Sequence, residues 1–142
     1  MTEKDWAKLH WFNKKENWGD PDKMSPVLLN EMDAFRFHTG KKIYVSYGTQ
    51  GVHEKNSTHY YGLAADIIFP EVAPKDLPDM FIAASRFNFT GIGLYPHWKL
   101  NGTILGGLHL DHRRGRQKQY WIGLPDGTYV NLNFENIKKY FI

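Results

Sequence analysis

The spacing of apolar residues along the chain predicts two amphipathic helices. The first would begin after Ser25, a good N-cap that precedes Pro26 at the first helical position, and it would end at Gly40. The second would lie within residues 73–89. In both segments apolar side chains return every three or four positions, which places them on one face of a helix. These positions are Leu28, Met32 and Phe35 in the first segment and Leu77, Met80, Phe81, Ala84 and Phe87 in the second.

Short runs of β-branched and aromatic residues predict several strands. Residues 48–58 are polar and rich in turn formers, so we expect a loop there. The last two strands would form a hairpin that turns at Pro125, Asp126 and Gly127, ahead of a closing helix. The strand segments are KIYVSYG, GLAADIIF, GIGLY, GGLHLDHR and QYWIGLPDGTYVNL, and the closing helix is NFENIKKYFI. Helices that alternate with short strands, followed by strands in succession, predict an α+β fold with a small, mostly antiparallel sheet and flanking helices.

The composition fits a single domain over residues 1–142. Apolar residues make up 42% of the chain and aromatic residues 15%, which is enough to build a hydrophobic core. The absence of cysteine excludes disulfides and thiolate metal ligands, so a metal would have to bind His, Asp or Glu. No apolar run has the length of a signal peptide or a membrane span. We therefore expect a monomer that is made in the cytoplasm and does not insert into membranes.

The net charge of +3 suits an acidic partner without identifying it, and it also fits a solvated basic surface with no partner. Much of the excess lies in HRRGRQK, residues 112–118. A cell-wall polymer and a nucleic acid both fit this mild bias.

Two histidine-containing stretches carry the candidate chemistry. In STHYYGLAADI, His59 lies in the loop before a strand that bears Asp66. In GGLHLDHRR, His109 and Asp111 are two positions apart on a strand and so share a face. Two neutral imidazoles and one carboxylate suit zinc, with water in the fourth position, and Asp111 would act beside them as a general base or as a partner that orients an imidazole. Spacing alone leaves structural roles for these residues open.

The same stretches resemble a known family. STHYYGLAAD matches the S-x-H-x-x-G-x-A-x-D signature of the LAS-type zinc peptidases. These include zinc D-Ala-D-Ala carboxypeptidases, D-Ala-D-Ala dipeptidases and phage L-alanyl-D-glutamate endopeptidases, with the Hedgehog signalling domain as a structural relative. GIGLYP followed by GGLHLDHR is similar to the G-x-G-x-Y-P and H-x-D-x-R motifs of one subgroup, and QYWIGLPDGTYVNL looks like the tail of phage and prophage members.

The resemblance implies a fold of the Hedgehog and DD-peptidase type and hydrolysis of a peptide bond in a peptidoglycan stem peptide. The zinc ligands would be His59, Asp66 and His109, with Asp111 as the catalytic aspartate of the H-x-D motif and Ser57 as the residue that supports the loop. It also implies a phage or prophage enzyme that reaches the cell wall after release, with no nucleic-acid partner. The bond could be D-Ala-D-Ala, L-Ala-D-Glu or a bond to the cross-link.

The chain departs from the family pattern at two points. Many relatives carry a glutamate three residues before the last zinc histidine, where this chain has Gly106. Many also carry an arginine after the strand that precedes the first motif, where this chain reads VSYGTQG. Arg113 or Arg114 could bind the substrate carboxylate instead.

Several other residues are candidates for the walls of the site. His53 lies in the same loop as His59 and could line the cleft. Of four aromatic residues that could form a wall, Trp98 has the sequence context of a rim residue. The four are Tyr61, Tyr95, Trp98 and Trp121.

Two other functions remain open at this level. LDHRRGR followed by NLNFEN superficially resembles the His and Asn pattern of HNH-type nucleases, which would require His112 rather than His109 to face a metal. The second is a non-catalytic module that keeps its zinc but only binds cell wall or serves as a phage tail part. Gly106 in place of a glutamate is the feature that favours it.

Overall fold

The structure, a computed structural model, describes residues 1–51, 53, 57–113, 115 and 117–142. Within these ranges the α-helices are α1 (Glu3–Ala7), α2 (Pro26–Thr39), α3 (Leu77–Ser85) and α4 (Phe134–Phe141). The strands are β1 (Tyr44–Tyr47), β2 (Ala64–Ile68), β3 (Gly91–Tyr95), β4 (Lys99–Leu100), β5 (Thr103–Ile104), β6 (Gly107–Asp111), β7 (Gln119–Gly123) and β8 (Tyr129–Asn131). Short 3-10 turns span Pro21–Lys23, Thr58–Tyr61 and Pro74–Asp76.

Both predicted ends of helix α2 are confirmed. The Ser25 hydroxyl accepts a hydrogen bond from the Leu28 N–H at 3.3 Å. Gly40 closes the helix in the left-handed conformation, with φ 63°, and its N–H donates to the Arg36 carbonyl. This conformation disfavours residues with a Cβ, which explains glycine at this position.

The other helices are confirmed less completely. Helix α3 ends at Ser85, so the periodic residue Phe87 lies beyond it. Helix α1 was not predicted, although Thr2 and Asp5 form a capping box that is visible in the sequence. Within the described ranges, no helix has both the length and the hydropathy that a bilayer span requires.

The main sheet has six strands in the order β1-β2-β6-β3-β7-β8. All neighbours are antiparallel except β3 and β7, which are parallel. The predicted α+β class with a mostly antiparallel sheet is therefore confirmed, as is the hairpin between β7 and β8. Strands β4 and β5 form a separate small hairpin that was not predicted.

The two faces of the main sheet lie in different environments. One face packs into the hydrophobic core, which also holds the apolar side chains of α2 and α3. The other face carries a row of directly paired residues across four strands, because Asp66 pairs with His109, His109 with Gly93, and Gly93 with Trp121. The period-two alternation of strands separates the two sets. The buried core-facing residues are Val45, Ala65, Ile67, Ile92, Leu94, Leu108, Leu110 and Ile122.

The centre of the core is an aromatic cluster around Phe35 of α2. Its ring makes edge-to-face contacts with Phe69, Phe87 and Phe89, at centroid distances of 6.3, 5.9 and 6.0 Å. Phe35 is fully buried. The cluster joins helix α2 to the segments that leave β2 and enter β3, and so fixes the helix against the core face of the sheet.

We expect Phe35→Ala to lower the free energy of unfolding by about 3–5 kcal/mol, since it removes a fully buried ring and leaves a cavity. Urea denaturation measures this change. Phe37→Ala on the same helix is the matched control, because Phe37 is 69% exposed and its loss should change stability by no more than about 0.5 kcal/mol. Equal losses in the two variants would contradict the assigned core.

Candidate metal centre

His59, Asp66 and His109 converge on one point of the sheet face opposite the core. Asp66 on β2 and His109 on β6 are direct partners across two antiparallel strands. His59 comes from the 3-10 turn Thr58–Tyr61, just before β2. One Asp66 oxygen, Oδ1, lies 3.3 Å from His59 Nε2 and 3.0 Å from His109 Nδ1. The structure thus brings together the three residues that the sequence motif singled out.

The geometry of these three atoms fits a metal ion. One ligand atom from each residue lies within 4.8 Å of the other two. Two ligands that are each ~2.0–2.1 Å from a tetrahedral zinc are roughly 3.3 Å apart, which is close to the distances between these atoms. The three residues are 4%, 7% and 8% exposed, and a carboxylate buried to this extent requires positive or hydrogen-bonding partners. The set could hold zinc.

The small residues of the STHYYGLAAD motif shape the turn that carries His59. Ser57 caps the turn, and its hydroxyl accepts a hydrogen bond from the His59 N–H. Gly62 ends the turn with φ 69°, and a Cβ there would lie 2.0 Å from the carbonyl oxygen of Lys23. The Gly62 carbonyl accepts from the Ser25 N–H at 2.9 Å, which ties the turn to the start of α2. Only glycine permits both the backbone angle and this close approach.

The two imidazoles would bind a metal through different ring nitrogens. His59 Nδ1 lies 2.8 Å from the carbonyl oxygen of Gly48, so Nδ1 carries the hydrogen and Nε2 is left for the metal. His109 Nε2 lies 2.7 Å from Asp111 Oδ2, which leaves Nδ1 for the metal. A hydrogen bond on the far nitrogen fixes both the tautomer and the ring direction.

Asp111 lies behind His109 rather than beside the space between the ligands. It is fully buried, and its Oδ2 also accepts a hydrogen bond from Arg113 Nε at 2.8 Å. The other oxygen is buried without a hydrogen-bond partner among the described residues. Of the two roles that the sequence left open for Asp111, this geometry supports the orientation of an imidazole. The His109 ring separates its carboxylate from the position that a general base would need.

Glycines on the site face make room for these side chains. A Cβ at Gly91 would lie 2.4 Å from the Asp111 carboxylate, and one at Gly93 would lie 2.5 Å from the Trp121 ring. Both glycines belong to the GIGLY segment of β3, where alternate residues face the site. Glycine therefore occupies positions 91 and 93 of this segment because the Asp111 carboxylate and the Trp121 ring lie over the strand there.

The metal centre opens into a cleft of about 1300 Å³. All the predicted substrate-binding residues line it, and so do the other three predicted wall aromatics. The His53 ring stacks on His59 at 4.0 Å between centroids, and the Tyr95 ring stacks on Trp98 at 4.2 Å. The predicted residues found here are Ser57, His53, Arg113, Trp98, Tyr61, Tyr95 and Trp121, whereas Arg114 lies outside the described residues.

Arg113 contacts both Asp111, which supports His109, and Trp121 in the wall of the cleft. Besides its hydrogen bond to Asp111, its guanidinium lies 4.7 Å from the centroid of the Trp121 ring and donates to Gln119. Trp121 in turn packs beside His109 at 5.3 Å and donates a hydrogen bond to the Tyr95 hydroxyl at 2.9 Å. No spacing rule in the sequence indicates Gln119, which reaches the cleft because β7 pairs with β3.

Two other positions fall outside the site. His112 Nε2 lies 2.7 Å from Glu31 Oε1, and its ring stacks on Phe89 on the core side. His112 therefore does not face the cleft, as an HNH-type site would require. Gly106 has φ 72°, and a Cβ there would approach Leu77 and Pro96 rather than the metal ligands.

The close contacts shift the acidity of the central groups. Burial alone lowers the pKa of His109, but hydrogen bonds with Asp111 and Asp66 outweigh burial and raise the pKa to about 9. Burial raises the pKa of Asp66, but hydrogen bonds from His109 and His59 outweigh it and hold the pKa well below its usual range. Without a metal, His109 is therefore an imidazolium between two carboxylates at neutral pH.

Comparison with protein-family models gives no match for this chain, and comparison with curated protein sequences gives none either. The motif resemblance and the geometry of the site are thus the two sources from which a function can be inferred.

We expect Asp111→Asn to weaken zinc binding about 10- to 100-fold, because the variant loses the carboxylate that orients His109 and supports its basicity. Competition against a chromogenic chelator measures the dissociation constant. Asp79→Asn, at an exposed position of helix α3, is the matched control and should bind zinc like the wild type. Unchanged affinity in Asp111→Asn with a large loss of turnover would instead identify Asp111 as a general base.

We expect the apparent zinc affinity to fall by about tenfold for each pH unit below pH 9, because His109 must lose one proton before Nδ1 can bind the metal. The sign follows from the raised pKa, since the competing proton is bound at neutral pH and released as pH rises through about 9. Chelator competition between pH 7 and pH 8.5, corrected for the chelator's own protonation, measures the slope. An affinity independent of pH over this window would contradict the assignment.

Proposed function

We propose that this protein is a zinc-dependent hydrolase of peptide bonds in peptidoglycan stem peptides. The observation that carries the proposal is the buried set of His59, Asp66 and His109 at the floor of an open cleft. Three protein ligands that leave a position open are typical of catalytic zinc sites, whereas structural sites are closed by a fourth protein ligand. Zinc at such a site lowers the pKa of water to ~7 and polarises carbonyl groups.

The second layer of the site supports a role in catalysis. The imidazole of His109 is held by Asp111, and Asp111 is held by Arg113. The ring direction of each ligand histidine is thus fixed before a metal arrives, by Asp111 for His109 and by a backbone carbonyl for His59. Supporting hydrogen bonds of this kind set the basicity and direction of metal ligands.

The charge of the cleft supports an anionic substrate. Arg113 and Lys118 line it, and Asp66, a metal ligand, is its one acidic residue within the described ranges. Peptidoglycan stem peptides carry free carboxylates, and opposite charge favours both encounter and orientation. The resemblance of STHYYGLAAD and GGLHLDHR to the LAS-type zinc peptidases supports the same substrate class.

A non-catalytic zinc-containing module that binds cell wall or belongs to a phage tail is the second candidate. It is favoured by the positions at which a general base was expected. Asp111 lies behind His109, and a side chain at Gly106 would face away from the ligands. The two candidates share the metal and the cleft, and they differ in whether bound peptide is cut.

We expect the zinc-loaded protein to release new amino groups from purified peptidoglycan and to lose this activity when the metal is removed by a chelator. His59→Ala should bind zinc too weakly for stoichiometric occupancy, since it lacks one of three protein ligands, and should be inactive. His10→Ala, in which an exposed histidine is removed, is the matched control and should keep both zinc and activity.

Metal analysis and quantification of amino groups on the same samples separate the two candidates. A zinc-loaded wild type that binds peptidoglycan and releases no amino groups would refute the hydrolase and leave the binding module. Full activity in metal-free protein would refute both.

A further inference from the structure

Beyond the main cleft, a second open space adjoins the candidate metal ligands. A second hollow of about 280 Å³ adjoins the main cleft, and His53, Asp66 and Trp98 line both spaces. It is several times the ~30 Å³ that one water occupies in the liquid, so it has room for an organic group. Its other lining residues are Ser46, Tyr47, Gly51, Ile68 and Lys99.

The two spaces extend from the candidate metal ligands in different directions across the sheet. The main cleft extends over β7 and β8, where Trp121 and Tyr129 line it. The second hollow lies at β1 and the far end of β2, where Tyr47 and Ile68 line it. Asp66 on β2 lines both spaces, and His109 on the neighbouring β6 lines the main cleft. The two spaces together form a groove that crosses the strands and passes over the ligands, and we call it the transverse groove.

Each side of the transverse groove has its own cationic side chains. Arg113 and Lys118 line the main cleft, and Lys99 lines the second hollow. Lys99 and Tyr47 are exposed, so this side leads to solvent. An enzyme that removes a C-terminal residue needs its cation where the chain stops beside the metal. The described residues instead offer a cation and further space on both sides.

We propose that the transverse groove binds an anionic peptide that continues on both sides of the scissile bond, so that the protein is an endopeptidase rather than a carboxypeptidase. This inference rests on the proposed function and adds to it the position of the bond. The reaction consumes one water: the C–N bond breaks, the carbonyl carbon gains the hydroxyl, and the amine nitrogen gains the proton. Lys99 and Lys118 would contact carboxylates on opposite sides of that bond.

The decisive test compares a synthetic stem pentapeptide with a free C-terminus and the same peptide with a C-terminal amide. We expect the zinc-loaded protein to cut both at the same internal bond, identified by mass spectrometry, with values of kcat/KM that differ by less than threefold, roughly the scale of one exposed ion pair. Release of a single C-terminal residue, or loss of cutting on amidation, would overturn the inference and leave the hydrolase intact.

Binding measurements decide the inference independently of hydrolysis. We expect Lys99→Ala and Lys118→Ala each to raise the Kd for the amidated pentapeptide by about two- to fivefold, the scale of an exposed ion pair. Removing residues from one end of the peptide should abolish the effect of one of these substitutions and preserve that of the other. Lys138→Ala on helix α4, away from the groove, is the matched control.

The outcomes separate the two levels of the proposal. If no peptide is cut but the two lysines respond to opposite ends of the peptide, the hydrolase is wrong and the two-sided groove is supported. If both lysines respond to the same end, or Lys99→Ala leaves every Kd unchanged, the two-sided groove is refuted whether or not hydrolysis occurs.

Discussion

The structure of the site depends on one buried carboxylate. Asp66 lies in a strand whose five residues are all buried, and an unpaired charge at such a position costs several kcal/mol. Its partners are two imidazoles that come from different parts of the chain. Each of these has a further acceptor on its other nitrogen, which is a backbone carbonyl for His59 and Asp111 for His109. The buried charge of Asp66 therefore requires hydrogen-bonding imidazoles beside it, and these in turn require acceptors on their other ring nitrogens.

The face of the sheet that carries the site is rich in glycine because large side chains lie directly over it. Large polar and aromatic groups lie over β3, which has no side chain at two of its three site-facing positions, Gly91 and Gly93. On β7, a Cβ at Gly123 would lie 2.1 Å from the Tyr95 ring. The core face of the same strands carries Ile92, Leu94 and Ile122, with Tyr120 packed against the core. One sheet thus combines a close-packed core with an open polar site because neighbouring positions in each strand belong to different environments.

Local rules predicted the parts of the structure that depend on local contacts. Ser25 and Gly40 mark the ends of α2 through hydrogen bonds within one turn, and such signals are readable in sequence. The grouping of His59, Asp66 and His109 was also predictable, because a strand period places Asp66 on one face and the motif supplies its partners. The role of Asp111 was not predictable, since alternation shows that it shares a face with His109 but not which ring nitrogen it meets.

Other features depended on pairings between distant strands. Gln119 and Trp121 reach the site because β7 runs parallel to β3, a pairing that no local pattern indicates. The second hollow depends likewise on β1 lying next to β2 at the sheet edge. His112 could be excluded from the cleft by strand alternation alone, but its partner Glu31 lies 81 positions away.

The attachment of the His59 turn links the candidate metal centre to the docking of the N-terminal segment. The turn is fastened to the N-terminal part of the chain, because the Ser25 N–H bonds to Gly62 and the Thr49 N–H, next to the carbonyl that holds His59, bonds to Trp18. Asp66 and His109 are direct partners through the pairing of β2 and β6, whereas the position of His59 depends on these contacts with the N-terminal segment. A metal bound by all three residues would therefore also hold the N-terminal segment against the sheet, and loosening of that segment would weaken metal binding.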